Sequence, residues 1–291
     1  MFLFLMASCT EKIDFSPYHQ RKIVINCVLT PESIQKLSLT YSNVAGNFYY
    51  EKIADATISL FADEQYVGSF EKGNYDVWEL IYEPVTGQRY RLTVEVPGFP
   101  LIEATTTMPY NVPVVKDSEK DYGDMEKDVF WRKNYVQNEY SVPYWIFIMS
   151  KMDESDYITS RDRLENSLGT NHPACDRFNL SGKSMSERVH NNDLTMEQHV
   201  YLRIHPEVGE EYSFCVEGVG NGSWIFFRAS SEEYDKYLKT SFQKMLVYSS
   251  FDDPSQWFDE SVVYSNITNG LCIFGAYSDV VFKYKEDLPW N

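Results

Sequence analysis

From residue 22 onward, apolar and polar positions alternate with a period of two, the signature of strands with one buried face. In "KIVINCVL" the residues Ile23, Ile25, Cys27 and Leu29 fall on one side. "LSLTYS" sets Leu37, Leu39 and Tyr41 against hydroxyl residues, and "ATISLF" does the same with Ile58 and Leu60. The rhythm continues through "YVGSF", "YDVWEL", "RYRLTVEV" and "LIEATTT", with turn residues such as "EKGN" at 71–74 in between. About seven short strands in roughly 85 residues predict a β-sandwich. In "TGQRYRLTVEV" Gly87 makes a turn, after which Tyr90, Leu92, Val94 and Val96 face one way. In Ig-like sandwiches a Tyr at this position tucks its ring inward and bonds its hydroxyl to nearby backbone. Tyr90 is therefore the candidate for that corner, with an ordinary cross-strand Tyr as the other reading. The Cys, Trp, Cys spacing of antibody domains is missing, so the pattern predicts an Ig-like or fibronectin-like sandwich over 21–108. Pro109 and Pro113 end its last strand.

After an acidic connector, "KDSEKDYGDMEKD", strands return at "VPYWIFIMS", "HVYLRIH", "YSFCVEGV" and "SWIFFRA", and finally at "LCIFGAY" and "DVVFKYK". "WIFIM" is apolar on both faces and predicts a central or covered strand. Residues 151–197 lack periodicity and read as a long polar insertion. One helix stands out over about 231–248. Ser230 followed by Glu233 reads as its capping box, and Tyr234, Tyr237, Leu238, Ser241, Phe242, Met245 and Tyr248 share a stripe for packing on a sheet. The chain is thus mainly β: a sandwich followed by a second β-rich domain, over 109–291, with one prominent helix.

The opening "MFLFLMASCTEKID" shows no such alternation. Apolar residues from Met1 to Met6 lead into Ala7, Ser8 and Cys9, the order of an export signal ending in small residues at a cleavage site. With Cys first after the cut it resembles the bacterial lipobox, whose Cys is diacylated on sulfur and acylated on nitrogen. Residues 1–8 then read as a shortened signal peptide without a basic start, and an upstream start codon would supply what is missing. The other reading is an N-terminal strand with a buried Cys. Residues 9–20 read as a tether to the first strand. An acylated Cys9 makes the membrane a partner through a lipid anchor, since each buried CH₂ contributes about 0.8 kcal/mol. No other apolar run approaches the 18 or so residues of a transmembrane helix.

The chain carries 43 acids against 26 bases, a net charge of −17. That repels phosphate backbones and excludes nucleic acid as an expected partner. Of the five Cys, Cys27, Cys175, Cys215 and Cys272 show no CxxC spacing. Cys175 and Cys215 are the candidate disulfide, against buried free thiols as the default within strands. In "HVYLRIH" the residues His199, Tyr201, Arg203 and His205 share one strand face, expected to be solvated or to lie between domains. Its two His stand about 20 Å apart, too far to chelate one ion together. "KMDESDY" offers Asp153, Glu154 and Asp156 but lacks the Gly and closing Glu of a calcium loop. No HExxH, GxSxG, P-loop or dinucleotide fingerprint occurs. No metal, cofactor or catalytic residue is expected.

The run "SSEEYDKYLKTSFQKMLVYSSFDDPSQWFDESVVYSNITNGLCIFGAYS" resembles the closing signature of the domain of unknown function 4249 family of Bacteroidota lipoproteins. The matching positions are Tyr234, Tyr237 and Leu238, then Ser265, Asn266, Gly270, Phe274, Gly275 and Tyr277. "KIVINCVL", "ADATISLF", "GQRYRLTVEVPGF" and "ATTTMP" resemble it in the first half. Where Cys272 stands, the family more often has a second Gly. The family has no established activity. Its members are commonly encoded beside TonB-dependent receptors, so the resemblance implies an accessory binding role at the outer membrane, with the cell surface favoured over the periplasmic face. A structural or adhesive surface protein and a glycan or peptide hydrolase are the alternatives. The turn "SNITNG" reads either as fold maintenance or as ligand contact.

Overall fold

The computed structural model describes residues 21–42, 51–73, 77–111, 114–117, 128–132, 141–151, 168–180, 186–188, 195–197, 200–210, 212–216, 224–247 and 262–283. In chain order the strands are β1 (Ile23–Leu29), β2 (Ile34–Tyr41), β3 (Thr57–Ala62), β4 (Gln65–Ser69), β5 (Glu71–Lys72), β6 (Trp78–Ile81), β7 (Arg89–Glu95) and β8 (Ile102–Thr107). They continue as β9 (Val114–Asp117), β10 (Asp128–Arg132), β11 (Tyr144–Lys151), β12 (Leu168–Thr170), β13 (Cys175–Asn179), β14 (Ser186–Arg188), β15 (Thr195–Glu197), β16 (Val200–Ile204), β17 (Tyr212–Val216) and β18 (Trp224–Ser230). A helix, α1 (Glu232–Val247), and the long strand β19 (Gly270–Lys283) follow.

One large sheet runs β13-β16-β11-β18-β19-β1-β2-β6-β5, with β14 and β15 attached beside β11. Two smaller sheets, β4-β3-β7-β8 and β12-β17-β10-β9, pack against it. The alternation works as the pattern predicts. Ile23, Ile25, Cys27 and Leu29 are wholly buried, as are Tyr90 and Val94, and together with Leu37, Ile58 and Leu92 they form the core of the first sandwich. Burial on this scale is worth about 1.5–3 kcal/mol for each large apolar side chain.

That core is not built from the first half of the chain alone. Ile267, Phe274 and Ala276 belong to it. The sequence suggested two final strands; the structure has one, β19. Its first half, Gly270 to Ala276, pairs in parallel with β1, from Ile23 to Leu29. Its second half, Tyr277 to Lys283, pairs antiparallel with β18. Gly275 and the polar pair Ser278 and Asp279 interrupt the apolar rhythm without breaking the backbone ladder.

In the second half β11 lies between β16 and β18 and is covered on both faces. Ile146 and Ile148 pack with Tyr212 and Phe214 of the small sheet, whereas Trp145, Phe147 and Met149 pack beneath α1 with Phe242. Four readings need correction. The acidic connector begins in β9 and ends in β10, two strands that pair antiparallel, and its residues 118–127 lie outside the described residues. Residues 151–197 contain β12 to β15, and Leu168, Phe178 and Leu180 from it are buried. On the "HVYLRIH" face, expected to be solvated or between domains, Tyr201 and Arg203 lie under α1, whereas His205 is exposed. The cap of α1 is Ser231, not Ser230. Ser231 Oγ accepts the Tyr234 N–H at 3.2 Å and its carbonyl accepts the Asp235 N–H at 2.9 Å, while Ser230 ends β18.

A buried ionic group fixes the helix on the sheet. Asp235, 4% exposed, accepts both Arg203 Nε and Nη2 at 2.7 Å and the Trp145 indole N–H at 2.9 Å. Arg203 Nη1 reaches on to Asp176 at 2.8 Å, which Lys239 of the helix approaches at 3.3 Å. The hydrogen bond to Asp235 raises the Arg203 pKa further, and the guanidinium stays charged. Asp235→Ala takes the buried acceptor from the Arg203 fork and the Trp145 indole N–H, leaving only the more exposed Asp176 to Arg203, and is expected to cost about 3 kcal/mol in urea unfolding, whereas Asp235→Leu combined with Arg203→Met should cost less. Equal losses in the two variants would contradict this account.

Candidate functional site

The polar residues of the closing motif bond to the strands beside them, Asn266 half-buried and Thr268 and Asn269 at the surface. Asn266 donates through Nδ2 to the Thr105 carbonyl at 3.0 Å and the Phe274 carbonyl at 2.8 Å, and its Oδ1 accepts the Phe274 N–H at 3.0 Å. Thr268 N–H donates to the Glu103 carbonyl at 2.9 Å, and Asn269 Nδ2 to that of Leu101 at 2.8 Å. Residues 266–269 thereby clasp β8, in one sheet of the sandwich, to β19, in the other. Asn269 takes the left-handed φ of 60° that Asn tolerates. Gly270 and Gly275 allow close approach. A Cβ on Gly270 would come within 2.6 Å of Ile267 Cγ2 and 3.2 Å of the Ile23 carbonyl oxygen; one on Gly275 would come within 2.7 Å of Tyr234 Cβ. Phe274 is fully buried, and Ser265 Oγ accepts the Ile267 N–H at 3.4 Å.

The helical half of the motif meets the same strand. Tyr234 stacks on Tyr237 and on Tyr277, with ring centroids 6.5 and 5.8 Å apart. Arg228 lies 3.6 Å over the Tyr277 ring and forks onto Asp279 with two bonds of 2.9 Å. Leu238 packs into the core beneath the helix. Cys272 has φ +82°, a glycine-type backbone on a residue with a Cβ. Its thiol lies 3.7 Å from the Tyr237 hydroxyl. Burial raises the pKa of both groups, so both stay protonated at neutral pH.

Tyr90 is fully buried. Its hydroxyl accepts the Val85 N–H at 2.8 Å, donates to Gln88 Oε1 at 2.9 Å and lies 3.2 Å from the Tyr82 hydroxyl. Gly87 has φ +80° and its N–H bonds the Met108 carbonyl at 2.8 Å; a Cβ there would run into the Tyr110 ring. The expected pairing of Cys175 with Cys215 is not formed. Cys175 is a free thiol in β13 of the large sheet, whereas Cys215 lies in β17 of a small one. Cys9 and the tether, the Asp153, Glu154 and Asp156 cluster, and His19, His190 and His199 lie outside the described residues. Among the described residues no group of three or more His, Cys, Asp or Glu side chains could hold a metal ion, and no helix is long and apolar enough to cross a membrane.

Two surface features remain open for contact, at opposite ends of the sandwich. Where the chain enters at Arg21, a cleft of about 440 Å³ is lined by Asp55, Thr57, Glu95, Val96, Phe99 and Leu101. At the other end Ile34 and Ile81 are cross-strand neighbours, 43% and 84% exposed, and Val85 is 52% exposed. The alternation pattern gives no sign of either, since both are formed by residues at strand ends and in turns.

Because Cys272 holds a left-handed backbone, Cys272→Gly should be more stable than Cys272→Ala by about 1 kcal/mol, the reverse of the order in an ordinary strand. Thermal denaturation of the two variants reads the difference directly. Tyr90→Phe, which strands the Val85 N–H, should lower stability by about 1 kcal/mol or more; an unchanged melting temperature would contradict that role.

Comparison with known proteins places these features. No curated protein matches the chain. Among solved structures, a crystal structure of a protein described as membrane anchored, from Corynebacterium diphtheriae, aligns at 9% identity with a TM-score of 0.22, over 72% of this chain and 54% of that one. The chain thus spans little more than half of that protein, and a likeness this low carries no argument. The family described as Domain of unknown function (DUF4249) matches residues 10–282. A match over nearly the whole chain, including the clasp at 266–270 and the helix that packs on Gly275, makes this protein a member of that family.

Proposed function

We propose that this chain is a lipid-anchored accessory binding protein of an outer-membrane transport system, held at the membrane through an acylated Cys9 and acting without catalysis. The observation that carries the reading is where the motif residues are spent. Asn266, Thr268 and Asn269 bond backbone carbonyls, and Gly270 and Gly275 are closed over by neighbours. A function must then reside on exposed surface, and the exposed Ile34 and Ile81 pair is a surface suited to a protein partner. The lipobox at Cys9 supports the address, and the family resemblance supports a TonB-dependent receptor as that partner.

Cys9→Ser is expected to release the protein from the membrane fraction, and continued sedimentation with membranes would contradict the anchor. From detergent-solubilised membranes, the native protein should recover a TonB-dependent receptor and Ile81→Asp should recover several-fold less. Recovery of no receptor by the native protein would overturn the accessory reading while leaving the anchor standing.

A further inference from the structure

We infer that the sandwich pole from which the tether leaves rests on the lipid surface itself, through the turn Pro97, Gly98, Phe99, Pro100 and Leu101. This rests on the reading of Cys9 as the lipid anchor. Strand registers define the pole. Ile23 opens β1 and pairs with Gly270 at the start of β19 and with Tyr41 at the end of β2. Thr268 bridges to Glu103 at the start of β8, whose Ile102 pairs with Val94 near the end of β7, and Glu95 pairs with Thr57 at the start of β3. The turn from β7 to β8 therefore sits at the end where Arg21 enters. Arg21 lies over the Tyr41 ring, and Tyr41 meets Phe99, with ring centroids 5.8 Å apart.

The chemistry of the turn fits a membrane interface. Leu101 is 45% exposed, and Pro97 and Pro100 are exposed beside it. Two of its five residues are prolines without an N–H. Of the remainder, Phe99 N–H is satisfied by the Val96 carbonyl at 3.0 Å, and the Leu101 carbonyl by Asn269. The turn's other backbone groups can stay hydrated at the depth of the headgroup layer, where water is present. At this pole Arg21 pairs with Glu51 at 2.7 Å, and Asp55 and Glu95 line the cleft beside Leu101.

Tether length supplies the encounter. Residues 10–20 reach at most about 36–40 Å fully extended, so the pole is confined next to the bilayer at high effective concentration. The Ile34 and Ile81 pair is as apolar and more exposed, but it lies at the far end of β2, roughly 25 Å away at strand spacing. Beyond it β19 continues into the second half of the molecule. The proposed contact orients the protein with that half outward.

The test uses full-length lipidated protein in phosphatidylethanolamine and phosphatidylglycerol vesicles. An environment-sensitive fluorescent amino acid replaces either Leu101 or Ile81, and flotation reports anchoring independently. Expected is a blue-shifted reporter at 101, quenched by brominated acyl chains at least about twofold more than the reporter at 81. Vesicle-bound protein whose reporters at 101 and 81 respond alike overturns the inference and spares the anchor. Failure to float overturns the anchor reading, and the inference falls with it.

Discussion

The parallel ladder between β1 and the first half of β19 is the constraint on which the rest depends. It joins Ile23 to Gly270 and Leu29 to Ala276, the two ends of the described chain. Through it the first sandwich obtains Ile267, Phe274 and Ala276 for its core, and the same strand then continues as the neighbour of β18. A loop of this length closes at an entropic cost that grows only with the logarithm of its size, but that cost precedes any reward. The fold is therefore one of high contact order, in which a late segment completes an early one. A split into independent modules at Pro109 would leave β1 as an open edge, the feature that invites intermolecular pairing.

Given that constraint, the polar residues in "SNITNG" have a definite task. The approach to β19 must cross from one sheet of the sandwich to the other, and a bare backbone there would carry unpaired donors and acceptors. Asn266 answers three of them with one side chain, and Asn269 supplies the left-handed turn. On the other face Gly275 lets Tyr234 approach, so the helix docks where the strand has no side chain. Cys272 keeps the backbone conformation that a glycine would hold without strain, and the thiol it carries fills space against Tyr237.

What the sequence discloses follows from locality. Alternation is a local property, so β1, β3, β7 and β8 are legible residue by residue, and the two-sided apolar run of β11 announces a strand buried on both faces. The helix is legible for the same reason, although adjacent Ser230 and Ser231 make its cap ambiguous by one position. Strands of three residues, such as β12, β14 and β15, carry too few positions for a period to show. Asp235 reads as one more polar helix residue because its partners, Trp145 and Arg203, come from two distant strands, β11 and β16. The Cys175 and Cys215 pairing failed likewise: nothing local says that the two belong to different sheets. The candidate surfaces were illegible because an exposed Ile or Leu looks the same in sequence as a buried one.

The two buried acid and base groups show how the second half is kept in register with the ladder. Arg203 with Asp235 and Arg228 with Asp279 each place a forked guanidinium on a carboxylate. Such pairs contribute little net stability once desolvation is subtracted. Their value lies in geometry. An apolar helix face can slide by a turn across an apolar sheet at small cost, whereas a slide of α1 would separate Asp235 from both Arg203 and the Trp145 indole. Arg228 likewise pins β18 against β19 at Asp279, just beyond the point where that strand passes from one half of the molecule to the other. With the register fixed on both sides of that point, the sandwich and the helix-covered sheet hold a fixed relation along a single strand. A pole at one end can then determine which way the other end faces.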